Sequence, residues 1–188
     1  MPAAAVPGSA RQRILEAALE LFYRDGVRAT GIDRIIATSG VAKMSFYRHF
    51  PSKSDLICAF LEERHWRWLD WFETAISAKI SAGAGRLEAV GEALADWFAE
   101  PGFRGCAFIN TMAEIGNPAS REHQICVAHK QELERRLTAL AAMDGAADPE
   151  KAGRLALLIV EGAIIRAQLT GSAEPALDAK ALLGRLVA

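Results

Sequence analysis

Long apolar runs are missing from this sequence. The longest, Leu155 to Val160, stops at Glu161, far short of the roughly 18 residues a membrane-spanning helix needs. The opening MPAAAVPGSA lacks the basic segment and apolar stretch of a secretory signal, so a cytoplasmic setting is expected. Cysteine is scarce: the three, at positions 58, 106 and 126, show no C-x-x-C spacing, which excludes a disulfide framework or a structural zinc knot. Sustained alternation of apolar and polar residues, the mark of half-buried strands, is absent. So is any repeat at solenoid period. What remains is 188 residues that are 51% apolar and 24% charged, with 15 Gly and 7 Pro. That composition belongs to a globular chain with a packed core and rules out collagen-like, disordered and low-complexity classes.

The net charge of -1 conceals an asymmetry. Between Gly8 and Asp55 there are eight basic residues against five acidic ones, whereas the rest of the chain carries 14 basic and 18 acidic residues. A basic head on an acidic body suggests that the head alone meets a polyanion. Nearly every segment follows the 3.6-residue helical period. Ser9 and Gln12 form an S-x-x-Q capping box before the stripe Ile14, Leu15, Ala18, Leu21, Phe22, which ends at Asp25-Gly26. Thr30 and Asp33 repeat the box ahead of a short helix carrying Ile32, Ile35 and Ile36 that stops at Ser39-Gly40. After Gly40, Val41 and Ala42 a third short helix runs from Lys43 to His49, with Phe46 and Phe50 spaced for burial. Two short helices about a glycine turn predict a helix-turn-helix. A third box, Ser52 with Asp55, opens a long connecting helix to about Ile80, followed by helices over 86–100, 106–116, 120–143, 149–170 and 175–187.

The run TGIDRIIATSGVAKMSFYRHFPSKSDL closely resembles the TetR family of one-component transcriptional regulators. Val41, Lys43, Tyr47, His49, Phe50, Ser52, Lys53 and Leu56 stand where that family's pattern after the glycine turn requires them. The resemblance implies an all-α fold, with an N-terminal three-helix helix-turn-helix DNA-binding domain over 1–51 and a C-terminal helical bundle for ligand binding and dimerisation over 52–188. Residues 1–8 read as disordered. It further implies that Thr30, Tyr47, His49 and Lys53 hold phosphates, while Lys43, Met44, Ser45 and Arg48 face the major groove of double-stranded DNA. Ala42 stands where the family usually has Ser, removing a cap, and Met44 replaces a small residue, which suits contact with a thymine methyl.

The middle of the chain concentrates aromatic residues, Trp66, Trp68, Trp71, Phe72, Trp97, Phe98, Phe103 and Phe108 among them. Most of this is core. In the resembling family the same helices enclose an effector pocket, which aromatic walls with a few polar groups would suit. Trp66, Trp97, Phe108, Asn110, Thr111 and Glu114 are the expected ligand-binding residues, with His65 at the edge. Cys106, after Arg104-Gly105 at a helix start, has the setting of a thiol with lowered pKa, although an idle buried cysteine is the commoner case. His123, Cys126 and His129 do not make a metal site, because on one helix they spread over about 120 degrees. Cys126 and His129 instead run into Leu133, Leu137 and Leu140 as a packing stripe.

The segment Lys151 to Thr170 is apolar nearly all round, with Gly162, Ala163 and Ala167 leaving room for a close helix neighbour. With the stripe from Cys126 to Leu140 it predicts an isologous four-helix interface in a homodimer. These readings combine into a repressor without catalysis and without a cofactor, released from a palindromic operator by a small-molecule effector. The rival is a small helical enzyme or metalloprotein using His65, Glu114, His123 and His129, though no acid-base or nucleophile spacing links them. A third reading is a protein-binding module that has kept the helix-turn-helix shape without DNA affinity.

Overall fold

A computed structural model describes residues 8–187. Residues 1–7 lie outside the described residues, and with them most of the segment expected to be disordered. The described residues form α1 (Ala10–Asp25), α2 (Ile32–Ser39), α3 (Lys43–His49), α4 (Lys53–Ser81), α5 (Arg86–Phe98), α6 (Ala107–Ile115), α7 (Arg121–Met143), α8 (Pro149–Thr170) and α9 (Pro175–Gly184), with no strand among them. The all-α architecture follows the helical period of the sequence, and the boundaries sit where caps and glycines place them.

Two of the three capping boxes behave as the sequence suggests. Gln12 N–H donates to Ser9 Oγ at 3.2 Å and Asp55 N–H to Ser52 Oγ at 3.1 Å, each satisfying an amide that the first helical turn leaves without a partner. The second box is corrected. The residue that caps α2 is Gly31, without a side-chain bond, and Thr30 is fully buried. Its hydroxyl donates instead to the carbonyls of Gly26, at 2.8 Å, and Leu21, at 3.3 Å. A buried hydroxyl must find an acceptor, and the end of α1 offers two.

The chain divides into two compact units, each with its own core. The first holds the described residues up to His65 together with Ala107–Cys126; the second holds Trp66–Cys106 and the residues from Val127 onward. The boundary expected at 51/52 falls inside the first unit, to which α6 also belongs. There Ile14, Ala18 and Phe22 of α1 pack with Ile35, Phe46 and Phe50 beneath the first turns of α4, where Leu56 and Phe60 are buried. Phe22 and Phe60 meet edge to face at 5.4 Å, a favourable aromatic geometry.

In the second unit Trp68 is the hub of an aromatic cluster. It stacks on Phe72 at 4.8 Å and meets Trp97 at 5.9 Å and the buried His129 edge-on at 5.5 Å. Phe103 closes against Trp97 at 5.2 Å and Phe98 at 5.0 Å. A distant residue caps α5, where Asp144 accepts from the amides of Arg86 and Leu87 at 3.2 and 2.9 Å, and a local one caps α8, where Asp148 accepts from Lys151 N–H at 3.0 Å. The α7 stripe is spent within this chain, since Cys126, His129, Leu133 and Leu137 are buried without any partner subunit. These four side chains are therefore not free to meet a partner subunit, whereas Leu140 at the end of the stripe is half-buried. Most of the large apolar residues left in the open in the second unit are on α8 and α9, namely Leu155, Leu158, Ile165 and Leu169, with Leu177 and Leu182, while α7 exposes Val127 and Met143 and α4 exposes Trp66.

Helix α9 lies so close to α5 that a Cβ placed on Gly91 would sit 2.5 Å from Lys180 Cα and 2.7 Å from its N. Backbone cannot yield as a flexible side chain can. Gly91→Ala is accordingly expected to destabilise the protein by about 1–3 kcal/mol through overpacking, against the roughly 1 kcal/mol that alanine gains in helix propensity. The midpoint of a urea melt checks this.

Candidate nucleic-acid interface

Helix α3 has only seven residues and is too short to hold itself together. Its orientation comes from burial. Phe46 and Phe50 are buried and touch with ring centres 6.3 Å apart, turning Lys43, Met44, Tyr47 and Arg48 outward. Met44 is 79% exposed, an unusual place for a thioether unless something apolar covers it. Ser45 and His49 are half-buried at the edges of this face. As the sequence suggests, Ala42 gives α3 no side-chain cap, so the first amides of the helix are left to solvent or to an anion. Gly40, at φ 62, makes the left-handed turn between α2 and α3, a conformation that costs glycine little.

The surrounding cations are held rather than loose. Lys43 Nζ lies 3.4 Å from Asp33, and the Arg11 guanidinium stands 5.3 Å from the Phe50 ring centre. Arg34 pairs with Asp25 at 2.9 Å. The hydrogen bond from Arg24, with the charge of Arg34, holds the Asp25 carboxyl below its ordinary pKa. Lys53, at the start of α4, donates to the Arg28 carbonyl at 3.3 Å. Burial lowers its pKa from the usual lysine value, while the charge of Glu114 pushes it back up.

Seven of the eight expected DNA-binding residues, Lys43, Met44, Ser45, Tyr47, Arg48, His49 and Lys53, are thus gathered on α3 and the first residue of α4. Thr30 is not among them: its buried hydroxyl already serves Gly26 and Leu21 and has no face toward a phosphate.

The expected effector residues are dispersed. Trp97 lies buried in the aromatic cluster of the second unit, but Trp66 is 68% exposed. Phe108, Asn110, Thr111 and Glu114 belong to the first unit. Phe108 and Thr111 are buried there, and Glu114 is occupied, its Oε2 accepting the Arg28 N–H at 2.6 Å. That contact joins residues 86 apart in the chain and has no local sequence signal. Neither has the bond from Ser54 Oγ to Glu122 Oε1 at 2.5 Å. Cys106 is buried. Cys58 is buried as well, and burial together with the charge of Glu122 lifts its thiol to about 11, leaving it protonated at neutral pH. Among the described residues no three His, Cys, Asp or Glu side chains cluster as metal ligands would, and no helix is long and apolar enough to cross a membrane.

Known proteins share this arrangement. The sequence model for "Bacterial regulatory proteins, tetR family" matches residues 14–60. Over almost the whole length, the fold is similar to the crystal structure of SCO4454, a TetR-family transcriptional regulator from Streptomyces coelicolor. The identity is 31%, covering 95% of this chain and 94% of that one, with a TM-score of 0.83. The transcriptional regulator AcuR of Cereibacter sphaeroides is 26% identical over 174 residues, 88% of this chain and 80% of that protein. LmrA, a helix-turn-helix regulator of Bacillus subtilis, is 48% identical over 44 residues, 23% of each chain. With an outward-facing α3 and a likeness that extends over nearly the entire chain, the protein belongs to the TetR family of bacterial regulatory proteins and is a DNA-binding transcriptional regulator.

Proposed function

We propose that the protein is a homodimeric repressor that occupies a palindromic operator in the cytoplasm and is released when a small molecule binds its C-terminal helices, with no catalytic step of its own. The observation that carries the reading is the outward face of α3. Lys43, Met44, Tyr47 and Arg48 stand exposed above two buried phenylalanines, the arrangement by which a recognition helix enters a major groove. In this reading Lys43, Met44, Ser45 and Arg48 contact base edges, and Tyr47, His49 and Lys53 hold the phosphates that fix the register. Lys53 gives one of its three N–H donors to Arg28 and keeps its charge for the DNA. The enzymatic alternative is weakened by its own residues: Glu114 is engaged by a backbone amide and His129 is buried against Trp68.

The effector site is assigned to the aromatic cluster around Trp68, Trp71 and Trp97. Aromatic side chains with the imidazole of His129 among them favour a small apolar or aromatic molecule. The dimer face is assigned to α8 and α9. Leu158 is 65% exposed, and Leu158, Ile159, Gly162 and Leu182 line an open groove with Arg166 on one wall and Glu174 and Asp178 on the other. Opposite charges flanking an apolar strip suit a two-fold interface, where each wall of one copy meets the other wall of its partner. Leu158→Arg is expected to give a folded monomer in sedimentation at micromolar concentration, where the wild type sediments as a dimer. A monomeric wild type would overturn the assignment.

The DNA contacts separate by salt. Lys53→Ala is expected to weaken operator and scrambled duplexes alike. The slope of log affinity against log salt should become shallower by about two, at a little under one unit for each of the two lost phosphate contacts. Lys43→Ala is expected to lower operator affinity by roughly 1–3 kcal/mol while scrambled DNA binds as before. Titration of both duplexes over a salt series measures the two effects; a Lys53→Ala variant that changes sequence preference but not the slope would refute the phosphate role.

A further inference from the structure

Helix α6 reaches into the DNA-binding head at one residue of the α1–α2 loop. The Arg28 backbone is held at both its polar groups: its N–H donates to Glu114 Oε2 of α6 at 2.6 Å, and its carbonyl accepts from Lys53 Nζ of α4 at 3.3 Å. Two residues earlier the chain takes φ 88 at Gly26. A Cβ there would lie 2.7 Å from Glu114 Oε1 and 3.1 Å from Oε2, so the carboxylate rests directly against glycine backbone. The Gly26 carbonyl is in turn tied down by Thr30. The next stretch of chain is fastened as well: Ser54 donates to Glu122, which is 7% exposed, and Arg121 pairs with Glu62 at 3.3 Å.

We propose that Glu114 is a positioning residue for operator recognition, a role that rests on the DNA-binding reading above. A carboxylate accepting a backbone N–H makes a short, charge-assisted bond that is stronger and more directional than a neutral one. Through it α6 fixes the α1–α2 loop, the direction in which α2 and α3 leave α1, and the place of the Lys53 ammonium that bonds the carbonyl of the same residue. Glu114 touches no DNA. Its carboxylate sets where the DNA-touching groups stand, so its loss is read in discrimination between sequences rather than in general attraction to the duplex.

Three variants and two measurements test this. Glu114→Ala removes the acceptor, Glu114→Asp keeps the charge but withdraws it by one methylene, and Glu114→Gln keeps an oxygen at full reach without the charge. In DNA-free protein, hydrogen exchange at the Arg28 amide should accelerate by about tenfold or more in the Ala and Asp variants and remain slow in Gln. For a duplex selected from a random pool, preference over a scrambled duplex should fall by about tenfold in Ala and Asp, with scrambled binding held or slightly raised because an acidic group has gone or drawn back. Gln should keep most of the preference, a rescue that a general loss of folding would not show. If Glu114→Ala does not fold, Asp against Gln carries the same comparison. Unchanged Arg28 exchange, or unchanged preference in a folded Ala or Asp variant, overturns the proposal. A wild type that selects no duplex refutes the DNA-binding reading itself, and the Arg28 exchange tells that failure apart from a failure of the contact.

Discussion

The burial of Phe46 and Phe50 under seven residues of helix is the constraint on which the recognition surface depends. A helix of two turns has too few internal hydrogen bonds to choose its own orientation. Two rings at i and i+4 choose it, because both must leave water and only one rotation of α3 lets them. Everything exposed on α3 is exposed for that reason, Met44 and Arg48 included. Phe22 and Phe60 from flanking helices of the same unit are buried as well and meet edge to face, so the recognition face is mounted on an aromatic core.

The sequence made most of the fold legible because helix ends are local events. Ser9, Ser52 and Asp148 each accept an amide three residues on, and such pairs can be read from neighbours in the chain. Thr30 shows where the pattern fails. A threonine followed three residues later by an acid has the form of a cap, yet the buried end of α1 competed for its hydroxyl and won. Local spacing carries no information about carbonyls nine residues back.

The apolar stripe of α7 failed for a related reason. Periodicity shows that one face of a helix leaves water but not whether its cover is the same chain or another copy. Cys126, Leu133 and Leu137 find cover within the chain, while Leu158 and Leu169 of α8 and Leu177 of α9 do not. Effector residues were the least legible, since a tryptophan that lines a site and one that fills a core share one sequence signature. Trp66 and Trp97 ended in opposite environments. The acids at 114 and 122 were harder still, because each acts on residues met tens of positions earlier.

That long reach of Glu114 has a consequence for how the protein is made. The loop between α1 and α2 is translated well before the carboxylate that secures it, which is encoded 86 residues later. At ordinary elongation rates of about 5–20 residues per second, the delay is on the order of ten seconds. During that interval α1, α2 and α3 can leave the ribosome and pack their phenylalanines, with the Arg28 amide still bonded to water. The loop of the DNA-binding head is thus made long before the contact that finishes it.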